Sequence, residues 1–304
     1  MFAMNTELHK KYKLKKCIPY IFLMPAVILI AVFLFYPMGS VFYYSLFKYN
    51  LAKPYANGFY GLGNFIDILT KDKLFYKTLW VTVKWVFGTV SVQLIIGLLI
   101  SNVLNQRMRF RGFFRAATFL PWAVSGIITS MLWSLIYNEH MGLLNTILLN
   151  LGIIKKGIAW TSSLDTVFGA IVVAEIWRGF PFFVIILLAS LQNIPESIYE
   201  SCRVDGAGRL STFFYITLPH LKQTIIFGTI LRGVWEFNNI DVIYAITGGG
   251  PANMTTTLSM YMINQGIKAN NFGYAAALTV IVSTILMILI YFYMKIMRYS
   301  EEGM

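Results

Sequence analysis

Charge is scarce in this chain. Of its 304 residues only 12% are Asp, Glu, Lys or Arg, against about 25% in soluble domains. Acidic residues are the scarcer of the charged ones, 13 against 25 Lys and Arg, and there are only 2 Cys and 3 His. With 57% apolar residues, a chain of this length cannot solvate the exterior of a globule. An ordinary cytosolic enzyme, a disordered tail and a disulfide-stapled secreted domain are therefore excluded, which leaves a polytopic membrane protein. Cys17 and Cys202 form no CxxC pair and no disulfide framework, so neither a metal site nor redox chemistry has a foothold.

What the chain does have is long apolar runs. A bilayer core of ~30 Å takes about 20 apolar residues per helix, and six stretches qualify: Ile18–Met38, Thr78–Leu104, Phe113–Tyr137, Thr166–Leu191, Gln223–Ile246 and Gly273–Met294. The first is too long for the core of a secretory signal and no A-x-A site follows it, so it reads as an uncleaved helix. Tyr36, Trp80, Trp133, Tyr137, Tyr291 and Tyr293 fall near span ends, where interfacial anchors belong. No internal repeat is visible, which argues against a self-contained secondary transporter built from two related halves.

The net charge of +12 would suit nucleic acid, but the basic residues cluster beside apolar runs, as orientation signals do. With the N-terminus inside, the inner segments hold 14: Lys10, Lys11, Lys13, Lys15 and Lys16; Arg107, Arg109, Arg111 and Arg115; Arg203, Arg209 and Lys222; Lys295 and Arg298. The outer segments hold 8: Lys48, Lys53, Lys71, Lys73, Lys77, Lys155, Lys156 and Lys268. Expected, then, is an all-α protein with six transmembrane helices and both termini in the cytoplasm. Residues 1–17 form a basic tail, 18–294 the membrane domain and 295–304 a second tail; lipid is a partner and nucleic acid is not.

The most informative connection is cytoplasmic, residues 192–222. Asn193 can cap a helix with Pro195 in its first turn and Glu196 near its positive end. Gly206 and Gly208 stop that helix about three turns later. A second helix follows around Leu210–Ile216, and Pro219 opens the fifth span. Read from the residues alone, this is either a simple interfacial connector or a helix that plugs a groove of a cytoplasmic partner. The run Glu200-Ser-Cys-Arg-Val-Asp205-Gly206-Ala207, followed by Ile216-Thr-Leu218-Pro219, resembles the EAA loop of bacterial binding-protein-dependent ABC importers. That family's pattern is E-A-A-x-x-D-G-A and then I-x-L-P; here Ser201 and Cys202, both small, replace the two alanines. Leu120-Pro-Trp-Ala-Val, Trp177-Arg-Gly-Phe-Pro-Phe182, Phe237-Asn-Asn-Ile, Thr247-Gly-Gly-Gly-Pro-Ala and Phe272-Gly-Tyr-Ala-Ala-Ala look like the carbohydrate branch, the maltose-type permeases.

That resemblance implies a type I importer permease fold in the plasma (inner) membrane. It also implies a second homologous permease, an ABC ATPase dimer and an extracellular solute-binding protein as partners. Glu200, Ser201, Cys202, Asp205, Gly206 and Ala207 would form the coupling helix. The chain has no G-x-x-x-x-G-K-[ST] phosphate loop, so it would bind no cofactor itself, ATP and Mg belonging to the ATPase. It would be no enzyme and have no catalytic residue. The cargo implied is a sugar, an oligosaccharide, moved by alternating access.

Glu175, Arg178, Arg232, Glu236 and Asp241 fall inside the expected spans, at about 2.5–3.5 kcal/mol each on insertion scales. Glu175 with Arg178 and Arg232 with Glu236 can each share a helix face. They are either internal ion pairs that lock the bundle or the lining of a polar cavity. Resemblance to maltose-type permeases implies the cavity, with substrate contacts at Trp122 and Ser125, at Glu175, Arg178, Gly179 and Phe182, and at Arg232, Glu236, Asn238 and Asn239. Trp122 would otherwise simply pack in the bundle. Lys84 can snorkel to the outer interface. The segment Thr247–Pro251 must break a helix, as a plain reversal or as a contact for the binding protein. The segments Gly39–Lys77 and Asn138–Asp165 can lie along the outer interface. Two alternatives remain: the same machine carrying glycerol phosphate, a glycerol phosphodiester or another polyol-like solute, and an ion-coupled carrier or channel relaying through the buried carboxylates.

Overall fold

The computed structural model describes residues 20, 22–106 and 108–302. The expected tail 1–17, with Cys17 and its lysines, and Arg107 lie outside them. The chain divides into two compact units, one comprising the chain up to Lys71 with Asn264–Thr284, the other Asp72–Ile263 with Ile285–Met304.

In the first unit, helix α1 (Phe22–Ser45) has a mean hydropathy of 2.2 and exposes its side chains from Phe22 to Met38. A helix that is apolar all round and unburied needs lipid or another chain against it. The helix runs on past the expected end at Met38, so Gly39–Ser45 is helix and not outer loop. A short antiparallel hairpin, β1 (Phe47–Lys48) with β2 (Gly58–Phe59), follows. Helix α2 (Gly63–Thr70) ties it down: Asn64 Nδ2 donates to the carbonyls of Ser45 and Phe47, both at 2.9 Å. Gly273 donates its N–H to Tyr49 O at 3.1 Å, and any Cβ there would lie 2.0 Å from Phe47 O, so that site admits only glycine.

The second unit is built on α3 (Lys73–Asn105). Asp72 caps it, accepting from the N–H of Leu74 and Phe75, and also accepts from Tyr261 at 2.6 Å. Its buried stripe recurs every three or four residues through Thr78, Thr82, Trp85, Thr89, Gln93, Gly97 and Ser101. Small and polar residues on such a stripe let backbones approach closely in lipid, where apolar burial gives no driving force. The threonines stay satisfied by donating back one turn, Thr82 to Thr78 O and Thr89 to Trp85 O, both at 2.7 Å.

Helices α4 (Arg111–Ala123), α5 (Gly126–Ile136), α6 (Leu143–Asn150) and α7 (Val167–Gln192) come next. After them come α8 (Glu196–Val204), α9 (Arg209–Thr212), α10 (Leu218–Asn238), α11 (Asp241–Ile246) and α12 (Leu258–Ile263). Helix α13 (Phe272–Glu302) carries the expected sixth span on through most of the expected tail. Helix α7 packs chiefly on α3, with α10 against both.

Two expected spans are not continuous. The third is α4 and α5, bent by 96° at the extended residues Val124 and Ser125, just past Pro121. The fifth is α10 and α11, parted at Asn239, whose ψ of 119° is extended. By length and apolarity four helices among the described residues can cross a membrane, or five with the bent pair. Helix α10 has the length, 21 residues, but carries Lys222, Arg232 and Glu236.

Gly97 sets the α3–α7 spacing, since a Cβ on it would fall 2.4 Å from Phe183 Cβ. Gly97→Val is expected to lower unfolding stability in detergent by about 1–3 kcal/mol through overpacking. Gly88→Ala, with nothing within 4 Å, is the control and should leave the thermal unfolding midpoint unchanged or raised.

Candidate functional site

Five side chains from three helices meet in one buried network. Glu175, Glu236 and Gln93 are fully buried and Arg232 is 5% exposed. Glu175 receives Arg178 through Nε at 3.0 Å and Nη2 at 2.8 Å, a bidentate pair. Arg232 Nη2 reaches the same carboxylate at 3.0 Å and also pairs with Glu236 one turn on. Gln93 joins the halves: its Oε1 accepts from Arg232 Nε at 2.9 Å, and its Nε2 donates to Glu175 O at 3.0 Å and Glu236 Oε1 at 3.2 Å. Two carboxylates and two guanidiniums leave no net formal charge, the condition under which ions tolerate burial. Gly179 makes the room, because a Cβ there would lie 2.1 Å from Arg232 Nη2 and 2.2 Å from Gln93 Nε2.

Beside this network lie the two helix breaks. Helix α5 packs on α11 so closely that a Cβ on Gly126 would fall 2.6 Å from Asp241 Oδ2. Trp122, Ser125, Asn238 and Asp241 are all exposed there. Asn239 Nδ2 points back to Glu236 Oε2 at 3.5 Å, while its Oδ1 accepts from the N–H of Asp241 at 3.2 Å and so starts α11.

The third feature is the loop after α7. Asn193 closes α7 and does not open α8 as the sequence suggested; Pro195 stands at the N-cap, with no side-chain cap. Helix α8 buries none of its residues. It ends in a Schellman turn: Gly206, at φ 74°, donates to Arg203 O at 3.2 Å, and Ala207 donates to Cys202 O at 2.9 Å. Glu200, Ser201, Asp205 and Gly206 are exposed, while Cys202 and Ala207 are half-buried. On the inner side Ile198 and Tyr199 pack against a core of Phe183, Leu187, Leu191 and Leu221. Helix α9 then passes through a π turn (Phe213–Thr217) into α10, where Pro219 takes a first-turn position.

Residues 93–299 match the model of binding-protein-dependent transport system inner membrane components. The chain belongs to that family. It is 34% identical over 300 residues to the trehalose/maltose transport system permease protein of Thermococcus litoralis, covering 98% of this chain and 100% of that one. It is 33% identical over 279 residues to the sulfoquinovosyl glycerol transport system permease protein of Agrobacterium fabrum, covering 92% and 90%. Among solved structures, a chain of a bacterial ABC transporter involved in the import of the acidic polysaccharide alginate superimposes with a TM-score of 0.79 at 20% identity, covering 96% and 99%.

This inner membrane component is thus a multi-pass membrane protein, and the structure sorts its sequence-derived residues. Glu175, Arg178, Gly179, Arg232, Glu236 and Asn239 come together. Phe182 is buried at 6% exposure, with its ring against Trp235 at 5.3 Å. Trp122, Ser125 and Asn238 stand apart, exposed. Lys84 lies over the Phe168 ring at 5.2 Å. Gln93 was missed, as was Trp85, whose Nε1 donates to Glu236 O at 3.1 Å; the polar stripe on α3 was the signal for both.

Arg232→Met would strand the buried Glu236 carboxylate, Glu175 keeping its pair with Arg178, and is expected to cost about 3–5 kcal/mol of unfolding free energy in detergent. Asn238→Ala, at an exposed site, should change it by less than about 0.5 kcal/mol.

Proposed function

We propose that this chain is the permease subunit of an ATP-driven importer that carries a sugar, an oligosaccharide, by alternating access. A second permease, a separate ATPase pair and an extracellular binding protein complete the machine, and the chain itself neither binds nor hydrolyses ATP. The observation that carries this reading is α8: a short helix with no buried residue, anchored by Ile198 and Tyr199 and closed by a positive-φ glycine. A rigid, exposed helix tied to the bundle core can pass motion of a docked subunit to the spans it joins, here α7 and α10. The residues of the EAA-like run, Glu200 to Ala207, form its outer face and its turn.

The cargo path in this reading runs along the two helix breaks. Non-helical backbone at membrane depth is tolerated where it lines a water-filled cavity or is buried in protein. Trp122 offers an aromatic face for sugar C–H groups, and Ser125, Asn238 and Asn239 offer hydrogen bonds to hydroxyls. Both network arginines already have carboxylate partners, and Asp241 is exposed beside them. That arrangement supports a neutral polyhydroxylated solute over glycerol phosphate. It also leaves the buried carboxylates closed in ion pairs, which argues against a proton relay.

The test is co-purification and uptake. The wild-type chain from its native membrane should bring down an ATPase and a second permease, and the reconstituted complex should take up an oligosaccharide only with ATP. Glu200→Lys, at an exposed site, should reduce ATPase recovery by about tenfold or more without unfolding the chain. Gly206→Pro should do the same by breaking the turn that closes α8, since proline can neither take its positive φ nor donate to Arg203 O. Uptake by the chain alone, without ATP, would overturn the reading in favour of a carrier.

A further inference from the structure

A cavity of about 1050 Å³ opens in the second unit, lined by the last turn of α3, the first turns of α4, the end of α7 and the α8–α9 segment. Its charge is one-sided. Among the described residues, Arg111, Arg115, Arg203 and Arg209 line it with a single carboxylate, Glu196. Among the described residues none of the four guanidiniums makes an ion pair, in contrast to both arginines of the buried network.

Two of the four already converge on one oxygen. With the Gln192 amide turned so that its oxygen faces them, it accepts from Arg111 Nη2 at 3.2 Å and from Arg115 Nη2 at 2.7 Å. Arg111 is held in place by its Nε, which donates to Leu104 O at 2.8 Å. Arg115 Nε is buried with no hydrogen-bond partner. Two like charges gathered around one neutral oxygen, with a buried donor left over, are under-compensated. An oxyanion would relieve both conditions, since guanidinium forks match tetrahedral phosphate oxygens. Asn102, Asn105 and Asn193 also line the cavity and supply donors and acceptors for hydroxyls attached to that anion.

We propose that this cavity binds a phosphate group, that of a phosphorylated sugar or of an anionic lipid headgroup, at the end of the bundle that carries α8. Occupancy would tie α4 to the α7–α8 junction and so bear on the segment through which the bundle and α8 are joined.

The full-length chain in detergent is titrated with glucose 6-phosphate by calorimetry, with inorganic phosphate as competitor. In parallel it is placed in nanodiscs of phosphatidylglycerol or phosphatidylcholine and the retained lipid is read by native mass spectrometry. The variants are Arg115→Gln and Arg209→Gln. Arg209 is exposed, so its variant folds even if the first does not; Lys156→Gln, at an exposed site in another loop, is the charge control. Saturable binding of glucose 6-phosphate, displaced by phosphate and about tenfold weaker in both arginine variants but not in the control, identifies a soluble ligand. Retention of phosphatidylglycerol that the arginine variants lose, without glucose 6-phosphate binding, identifies the lipid source. The proposal is overturned if neither ligand binds or if the variants bind as the wild type does. It is also overturned if the variants lose ATPase recovery with anion binding unchanged, which would make the cluster a protein-docking surface. Because the binding assay needs no ATPase and no transport, its failure is separate from failure of the importer reading.

Discussion

The buried contact between Arg232 and Glu175 is the constraint on which the second unit depends. Without it the molecule would have two local pairs, Glu175 with Arg178 on α7 and Arg232 with Glu236 on α10, each confined to its own helix. The interhelical bond at 3.0 Å makes them one object, and Gln93 fastens that object to α3. Parting α7 from α10 would break that bond, and withdrawing α3 would take the Gln93 amide from Arg232 Nε and Glu236 Oε1. Either movement strips buried charged groups of hydrogen bonds in a medium that offers none, at a cost of several kcal/mol. Apolar packing supplies no comparable penalty in lipid, because side chains find equally apolar neighbours there. The close-approach glycines, Gly97 and Gly179, serve the same end by letting α3 and α7 come near enough for the amide and the guanidinium to meet.

Against this fixed frame, the irregular backbone falls where something other than lipid must meet it. The break after Ala123 and the break at Asn239 are brought together by the α5–α11 contact, and the polar side chains there point outward while the network's point inward. Frame and candidate path are therefore contiguous through residue pairs such as Glu236 and Asn239, yet chemically distinct. Helix α8 lies between the same two helices, α7 and α10, that carry the network's charges.

Much of this was legible in the sequence, for physical reasons that also explain the gaps. Long apolar runs and intramembrane charges are composition-level signals, and the spacings of three and four placed each ion pair on a single face. What one helix's periodicity cannot show is which helix its charged face meets, so the two pairs read as separate. Gln93 escaped because it is uncharged, although its place on a stripe of threonines, glycine and serine marked it as facing protein. The breaks escaped because apolarity continues through Val124 and Ile240; only Pro121, Ser125 and the Asn238–Asn239 pair hinted at them. Asn193 misled because a good capping residue next to a helix end closes one helix as readily as it opens another. The positive-φ turn at Gly206 was legible because only glycine takes it without strain.

The division between a dry frame and a solvated pair of breaks is tested most directly by cysteine accessibility. In a background with Cys17 and Cys202 replaced by serine, single cysteines at Ser125, Asn238 and Gln93 would be exposed to a membrane-impermeant, water-soluble thiol reagent in proteoliposomes. The structure predicts rapid labelling at positions 125 and 238 and none at position 93 on the same timescale. Equal labelling at all three, or labelling at 93 alone, would mean that water reaches the charge network, and the frame would have to be reassigned as the path.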